Sequence, residues 1–268
     1  MSNAILYNDT QKVKRDFWQR VQNVRDRYEA RYYGLVRTTL VRQFKEVADH
    51  VTSDNMSVNL SQFVTKGPME KVFASIYGNI GGHFAKEAYN GLKFRMMGML
   101  TKEEDVDWYE LMLKYVRQNC GSRITSITNM TRRQIEDIVR QVLNSSTTEG
   151  WGSDETARQL RKLFAEKGTE LSQWRALRIA RTEIVTASNI GSIEGARELN
   201  YPTEKYWIPT YDSRTRDTHM AVTDQNPRDI NEKFMVGAYL MDIPGDAMAG
   251  PEETINCRCT IGFQIKGL

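Results

Sequence analysis

Cys257 and Cys259 flank a single arginine near the end of the chain, and they are two of only three cysteines in 268 residues. Side chains so close in sequence would make only a strained disulfide. As thiolates on one face of a strand they would form half of a zinc site, although structural sites usually place roughly two to four residues between paired ligands. The third ligand would then be His219, with Asp212, Asp217, Asp224 or water as the fourth. The plainer reading makes both cysteines small apolar side chains on the inner face of the last strand, near His219. Alternation along a strand would turn Arg258 the other way, toward a carboxylate or a partner. A Cys-x-Cys pair alone has little metal specificity, so the plainer reading leads and zinc stands as the alternative.

Two further clusters bear on chemistry. Tyr211–His219 reads YDSRTRDTH and packs Asp212, Arg214, Arg216, Asp217 and His219 into nine residues. His219 oriented by Asp212 or Asp217 would suit a general base or a metal ligand. Without a catalytic spacing, the run reads first as an ion-paired clamp whose function is shape. Arg181 and Glu183 lie among Leu177, Ile179, Ala180, Ile184 and Val185. Charges in such surroundings need partners, because an unpaired buried charge is costly. The expected partners lie in the C-terminal part: Asp212 for Arg181, and Arg214 or Arg216 for Glu183. The sequence holds no phosphate-binding glycine loop, dinucleotide fingerprint, HExxH or serine nucleophile elbow. His50 and His83 stand alone in helical context, and the Met-rich Phe94–Leu100 reads as core filling. The residues by themselves describe no enzyme.

Positioning these groups falls to helices first. From Val13 to Leu35 apolar residues recur every three or four positions, a stripe about 25 residues long with Lys and Arg on the other faces. A second stripe runs from Met69 to Phe84, where Gly81-Gly82 weakens the helix or admits a close neighbour. Thr101-Lys-Glu-Glu104 and Thr131-Arg-Arg-Gln134 read as capping boxes opening two more helices, the first stopping at Cys120-Gly121. SSTTEGWG (145–152) reads as a linker. Ser153 then caps a helix ending at Lys167-Gly168, and a long helix follows from about Ser172 to Leu199. Beyond Tyr201 the texture changes, with five of the six prolines at or after Pro202. Short β-rich runs appear at Lys205–Ile208, Phe234–Val236 and Thr260–Ile265. The expected fold is α+β: an all-helical region over 1–150, suited to docking on a partner, then a small domain over 151–268. In that domain a long helix covers a short-stranded, mainly antiparallel sheet.

Composition narrows the class. With 40% hydrophobic and 26% charged residues the chain is globular, and no apolar run suits a membrane span. The opening residues lack the apolar core of a signal peptide. An odd, small cysteine count points to a reducing compartment. Residues 201–268 hold 7 Lys+Arg against 10 Asp+Glu, which leaves 30 against 24 in residues 1–200. That excess permits contact between the helical part and an acidic partner.

One resemblance gathers these motifs. ARTE (180–183), NIGSIEGA (189–196), KYW (205–207), YDSRTRDTH (211–219), IPGD (243–246) and PEETINCRC (251–259) together resemble the phage Mu F-like head morphogenesis family, also called minor head or minor capsid proteins. The likeness covers about residues 150–268. Arg181, Glu183, Trp207, Asp212, Arg214, Arg216, His219, Arg258, Cys257 and Cys259 match its signature. After the histidine, members often show a glycine-containing turn where this chain has Val222–Pro227. The resemblance implies a structural, non-enzymatic virion protein of a tailed bacteriophage, acting in capsid assembly. Such a protein is portal-associated during procapsid assembly, passes from the host cytoplasm into the capsid, and stays inside the head near the DNA. Implied partners are the portal protein, then scaffold, major capsid protein and non-specifically contacted DNA, with no membrane and no cofactor. Some relatives carry an appended toxin enzyme, and none is expected here. The alternatives are a zinc-dependent enzyme such as a nuclease, using His219, Cys257 and Cys259, and a non-specific DNA-binding protein.

Overall fold

A computed structural model describes residues 10–54, 59–97 and 106–267. In order, the elements are α1 (Gln11–Asp49), α2 (Leu60–Phe63), α3 (Gly67–Ile76), a π-helical turn (Tyr77–Gly81), α4 (Gly82–Met97), α5 (Trp108–Asn119), α6 (Gly121–Glu149) and α7 (Ser153–Glu198). There follow β1 (Thr203–Ile208), α8 (Asp217–Ala221), a 3-10 turn (Val222–Gln225), β2 (Arg228–Asp229), β3 (Phe234–Val236), β4 (Tyr239–Met241), α9 (Pro251–Thr254) and β5 (Thr260–Ile265). This is the expected α+β arrangement, helical first and then a small antiparallel sheet.

The compact units do not part at residue 150. One comprises residues 1–31, 73–119 and 180–268, and the other comprises 32–72 and 120–179. The reason is helix length: α1 and α7 are each long enough to contribute one stretch to each unit. α1 extends well past the expected stripe, and after Tyr32 its buried residues include Val36, Leu40, Phe44 and Val47, while Leu35 is exposed.

In the second unit, Phe44, Val47, Val51 and Val64 form one core with Ile135, Ile138, Val142, Ala157, Leu160 and Phe164. Three expected helix boundaries fall inside helices here. Thr131 does not open one: it lies within α6, buried, with its hydroxyl donating to Ile127 O at 3.1 Å. SSTTE continues α6, Thr147 and Thr148 bonding back to Leu143 and Asn144 in the same way. Only Gly150 stops it, at φ 68°. Gly168 likewise sits mid-helix, because a Cβ there would come within 2.8 Å of Phe44 Cβ. Its missing side chain serves packing, so α7 runs unbroken for 46 residues. The Thr101–Glu104 capping box lies outside the described residues.

In the first unit β1 is central, with β2 and β5 antiparallel on its two sides. The β1–β5 register runs from Thr203 opposite Ile265 to Ile208 opposite Thr260. Almost every residue of both strands is buried, as expected of a short sheet covered on both faces. β3 and β4 form a separate hairpin turning at Gly237, φ 57°. Within this unit α7 crosses the π-helical turn and α4 with backbones nearly touching. A Cβ on Gly191 would lie 2.0 Å from Gly81 O, and one on Gly195 would lie 2.1 Å from Ala85 O. NIGSIEGA is thus a small-residue face for close helix approach. Phe94 and Met97, expected in the core, are half exposed.

A buried cysteine and histidine cluster

His219 is carried by α8, whose short helix begins at Asp217 after the charged loop. Cys257 and Cys259 arrive from the opposite direction, in the turn between α9 and β5. They are not on the strand, as expected, but just ahead of it: Asn256 takes φ 56° and Cys257 N–H bonds Thr254 O, so pairing starts only at Thr260. The three side chains nonetheless converge. His219 Nδ1 lies 3.3 Å from Cys259 Sγ and 3.6 Å from Cys257 Sγ, and all three residues are at most 2% exposed.

On the far side of the ring, His219 Nε2 lies 2.9 Å from Glu253 Oε2, which also accepts from Thr218 Oγ1. A carboxylate accepts, so the ring proton belongs on Nε2 and the Nδ1 lone pair faces the sulfurs. Trp207 on β1 stands edge-on to the imidazole, centroids 5.4 Å apart and planes at 90°. It fixes the ring's remaining freedom.

Arg25 of α1 completes the cluster. It is 1% exposed, yet its guanidinium donates to neutral acceptors. These are Ser188 Oγ at 2.8 Å, Asn189 Oδ1 at 2.7 Å, Thr260 Oγ1 at 3.2 Å and the carbonyls of Arg258 and Cys259 at 3.3 and 3.2 Å. Burial lowers its pKa to about 10, against the pull of Cys257 and Cys259. The thiols act as a pair: a hydrogen bond from Cys259 holds Cys257 well below the ordinary thiol range, and Cys259 is correspondingly raised. A buried cation thus faces a buried site that favours negative sulfur.

The charged residues distribute differently from expectation. Arg181 does not reach Asp212; it makes a two-pronged pair with Glu29 of α1, at 3.0 and 2.8 Å. Glu183, for which Arg214 or Arg216 was the expected partner, accepts from Tyr77 Oη at 2.8 Å. Asp212 instead receives Arg258, at 3.0 and 2.8 Å, and Arg214 at 3.0 Å. Burial works to raise its pKa, but those guanidinium bonds win and hold it at about 2. Arg258 therefore does find a carboxylate. Arg216 donates to Ile255 O at 2.7 Å, fastening the charged loop to the turn that carries the cysteines. Sequence reasoning missed Glu253 and Arg25. Arg25 had left a trace, since it falls at the stripe spacing between Val21 and Tyr32.

Residues 137–262 match the family model described as phage Mu protein F like protein. Over that stretch the chain is similar to the phage Mu protein F like family. The family is one of bacteriophage head morphogenesis. The Mu F-like region holds His219, both cysteines, Glu253, Arg181 and the Asp212–Arg258 pair, while Arg25 and Glu29 lie outside it. Among curated proteins, the chain is similar to an NAD(+)--arginine ADP-ribosyltransferase EFV of Enterococcus faecalis (strain ATCC 700802 / V583). The identity is 33% over 152 residues, 55% of this chain and 30% of that protein. The chain thus spans under a third of that relative. No solved structure matches. Among the described residues, no helix is long and apolar enough to cross a membrane.

Proposed function

We propose that this protein is a minor head protein of a tailed bacteriophage that associates with the portal during procapsid assembly and stays inside the head. The observation that carries this reading is the engagement of the family's signature side chains with one another. Arg258 holds Asp212, Arg216 holds the Ile255 carbonyl, and Trp207 braces His219. Such a set holds a fold in shape and offers little to a substrate. An ADP-ribose transfer, as in the relative's name, needs a surface where dinucleotide and acceptor meet. The His219–Cys257–Cys259 cluster, at most 2% exposed, is no such surface. The basic α1 supports a docking role toward an acidic partner.

The test is co-expression with the portal protein of the same phage, followed by affinity purification and by mass spectrometry of purified procapsids and mature particles. The expected result is a stable complex with the portal and a few copies per particle, retained after packaging. Absence from both procapsids and virions would overturn the reading.

A further inference from the structure

We propose that His219, Cys257 and Cys259 bind one zinc ion as a structural centre that joins the α8 loop to the turn entering β5. The donor atoms lie within 4.8 Å of one another. A tetrahedral zinc with bonds of about 2.3 Å to sulfur and about 2.0–2.1 Å to nitrogen sets N···S edges of about 3.6 Å. The observed separations are 3.3 and 3.6 Å. The three side chains already stand where such an ion would hold them.

Two independent features around the donors fit the same ion. Glu253 occupies Nε2 of His219 and leaves Nδ1 as the free donor, the carboxylate–histidine arrangement that orients a metal-bound imidazole. Arg25 supplies charge balance. Two thiolates cancel the charge of a zinc ion, and the Glu253 carboxylate cancels the Arg25 guanidinium, so the buried cluster closes at zero. Arg25 also clamps the carbonyls of Arg258 and Cys259, which keeps the Cys-Arg-Cys turn in place.

Paired thiolates with imidazole select zinc over hard cations such as magnesium or calcium. Three protein donors leave one tetrahedral position to water. With every ligand at most 2% exposed, that position is closed to a substrate, so the ion's contribution is to stability.

The test is made on the full chain, purified without chelator, exposed to excess zinc and desalted. Elemental analysis is expected to give one zinc per chain, and chelator is expected to lower the melting temperature. Replacement by cobalt(II) is expected to give the strong visible bands of a tetrahedral thiolate site. Cys259→Ser should abolish stoichiometric binding, and Glu253→Gln should weaken zinc affinity about tenfold through loss of the imidazole's orienting partner. A wild-type chain that takes up no zinc, shows no thiolate–cobalt bands and melts identically in chelator overturns the proposal. So does stoichiometric zinc in the Cys259→Ser variant. Should a variant fail to fold, the wild-type cobalt spectrum decides alone.

Discussion

Gly191→Ala sets two well-measured effects against each other. In an exposed helix the change removes backbone entropy from the unfolded chain and stabilises by about 1 kcal/mol. At Gly191 the added Cβ would lie 2.0 Å from Gly81 O, 2.7 Å from its C and 2.8 Å from its Cα. All three are backbone atoms of a packed helix, so no side chain can swing aside. A carbon in ordinary contact with a carbonyl oxygen sits at roughly 3.3–3.6 Å, so the two helices must part by about 1 Å or more. A gap of about 0.5–1 Å already forfeits a quarter to a half of each dispersion contact along the crossing. Overpacking of this kind costs about 1–3 kcal/mol, occasionally more, and the rigidity of both sides puts this case at the upper end. The expected net effect is a loss of about 2 kcal/mol, a drop of roughly 4–8 °C in melting temperature. Gly34→Ala is the control, since nothing lies within 4 Å of a Cβ there. It is expected to raise the melting temperature by roughly 1–4 °C. Both variants are read by circular dichroism melts against wild type. A Gly191→Ala protein as stable as wild type, or more so, would refute the close-crossing argument.

The Arg181–Glu29 pair is part-buried and two-pronged, so a double-mutant cycle with Arg181→Met and Glu29→Gln should give a coupling of about 1 kcal/mol, while Arg181→Met with Asp212→Asn should give none. A coupling to Asp212 instead of Glu29 would invert the assignment. Asp212 has a folded pKa of about 2, below its ordinary 3.8, so its contribution is present above the unfolded value and is lost as pH falls toward 2. Denaturation midpoints measured across that window should show Asp212→Asn less stable than wild type near neutrality, with the two curves merging at the acid end. Parallel curves at all pH values would show that the carboxylate's charge contributes nothing.

Much of this architecture could be read from residue spacing, and the misreadings have specific causes. β1, β3 and β5 were legible because β-branched and aromatic runs stood between turn residues, whereas β2 is only two residues long and carries no such signal. α7 reads as two helices because glycine is both the commonest helix stop and the smallest packing residue; only Phe44, more than a hundred positions away, distinguishes the two uses at Gly168. The need of Arg181 for a carboxylate followed from its apolar neighbours. Its partner did not, since Glu29 looks like one more solvated charge on a basic helix. The nearness of His219 to the cysteines was visible in the motif order. Glu253 was hidden in the acidic first turn of α9, where carboxylates commonly do nothing but face the helix N-terminus.

Arg25 gives the chain an order of events. It leaves the ribosome more than two hundred residues ahead of Cys259 and Thr260, whose oxygens its guanidinium needs. Until those residues are made, the N-terminal helix carries a cation that water must solvate and an apolar stripe without its final cover. Contacts this distant in sequence form late and slowly. Residues around Cys259 and Thr260, made late, therefore act as a latch on α1, made early. A chain truncated before Cys259 would lack those acceptors and be left open to degradation.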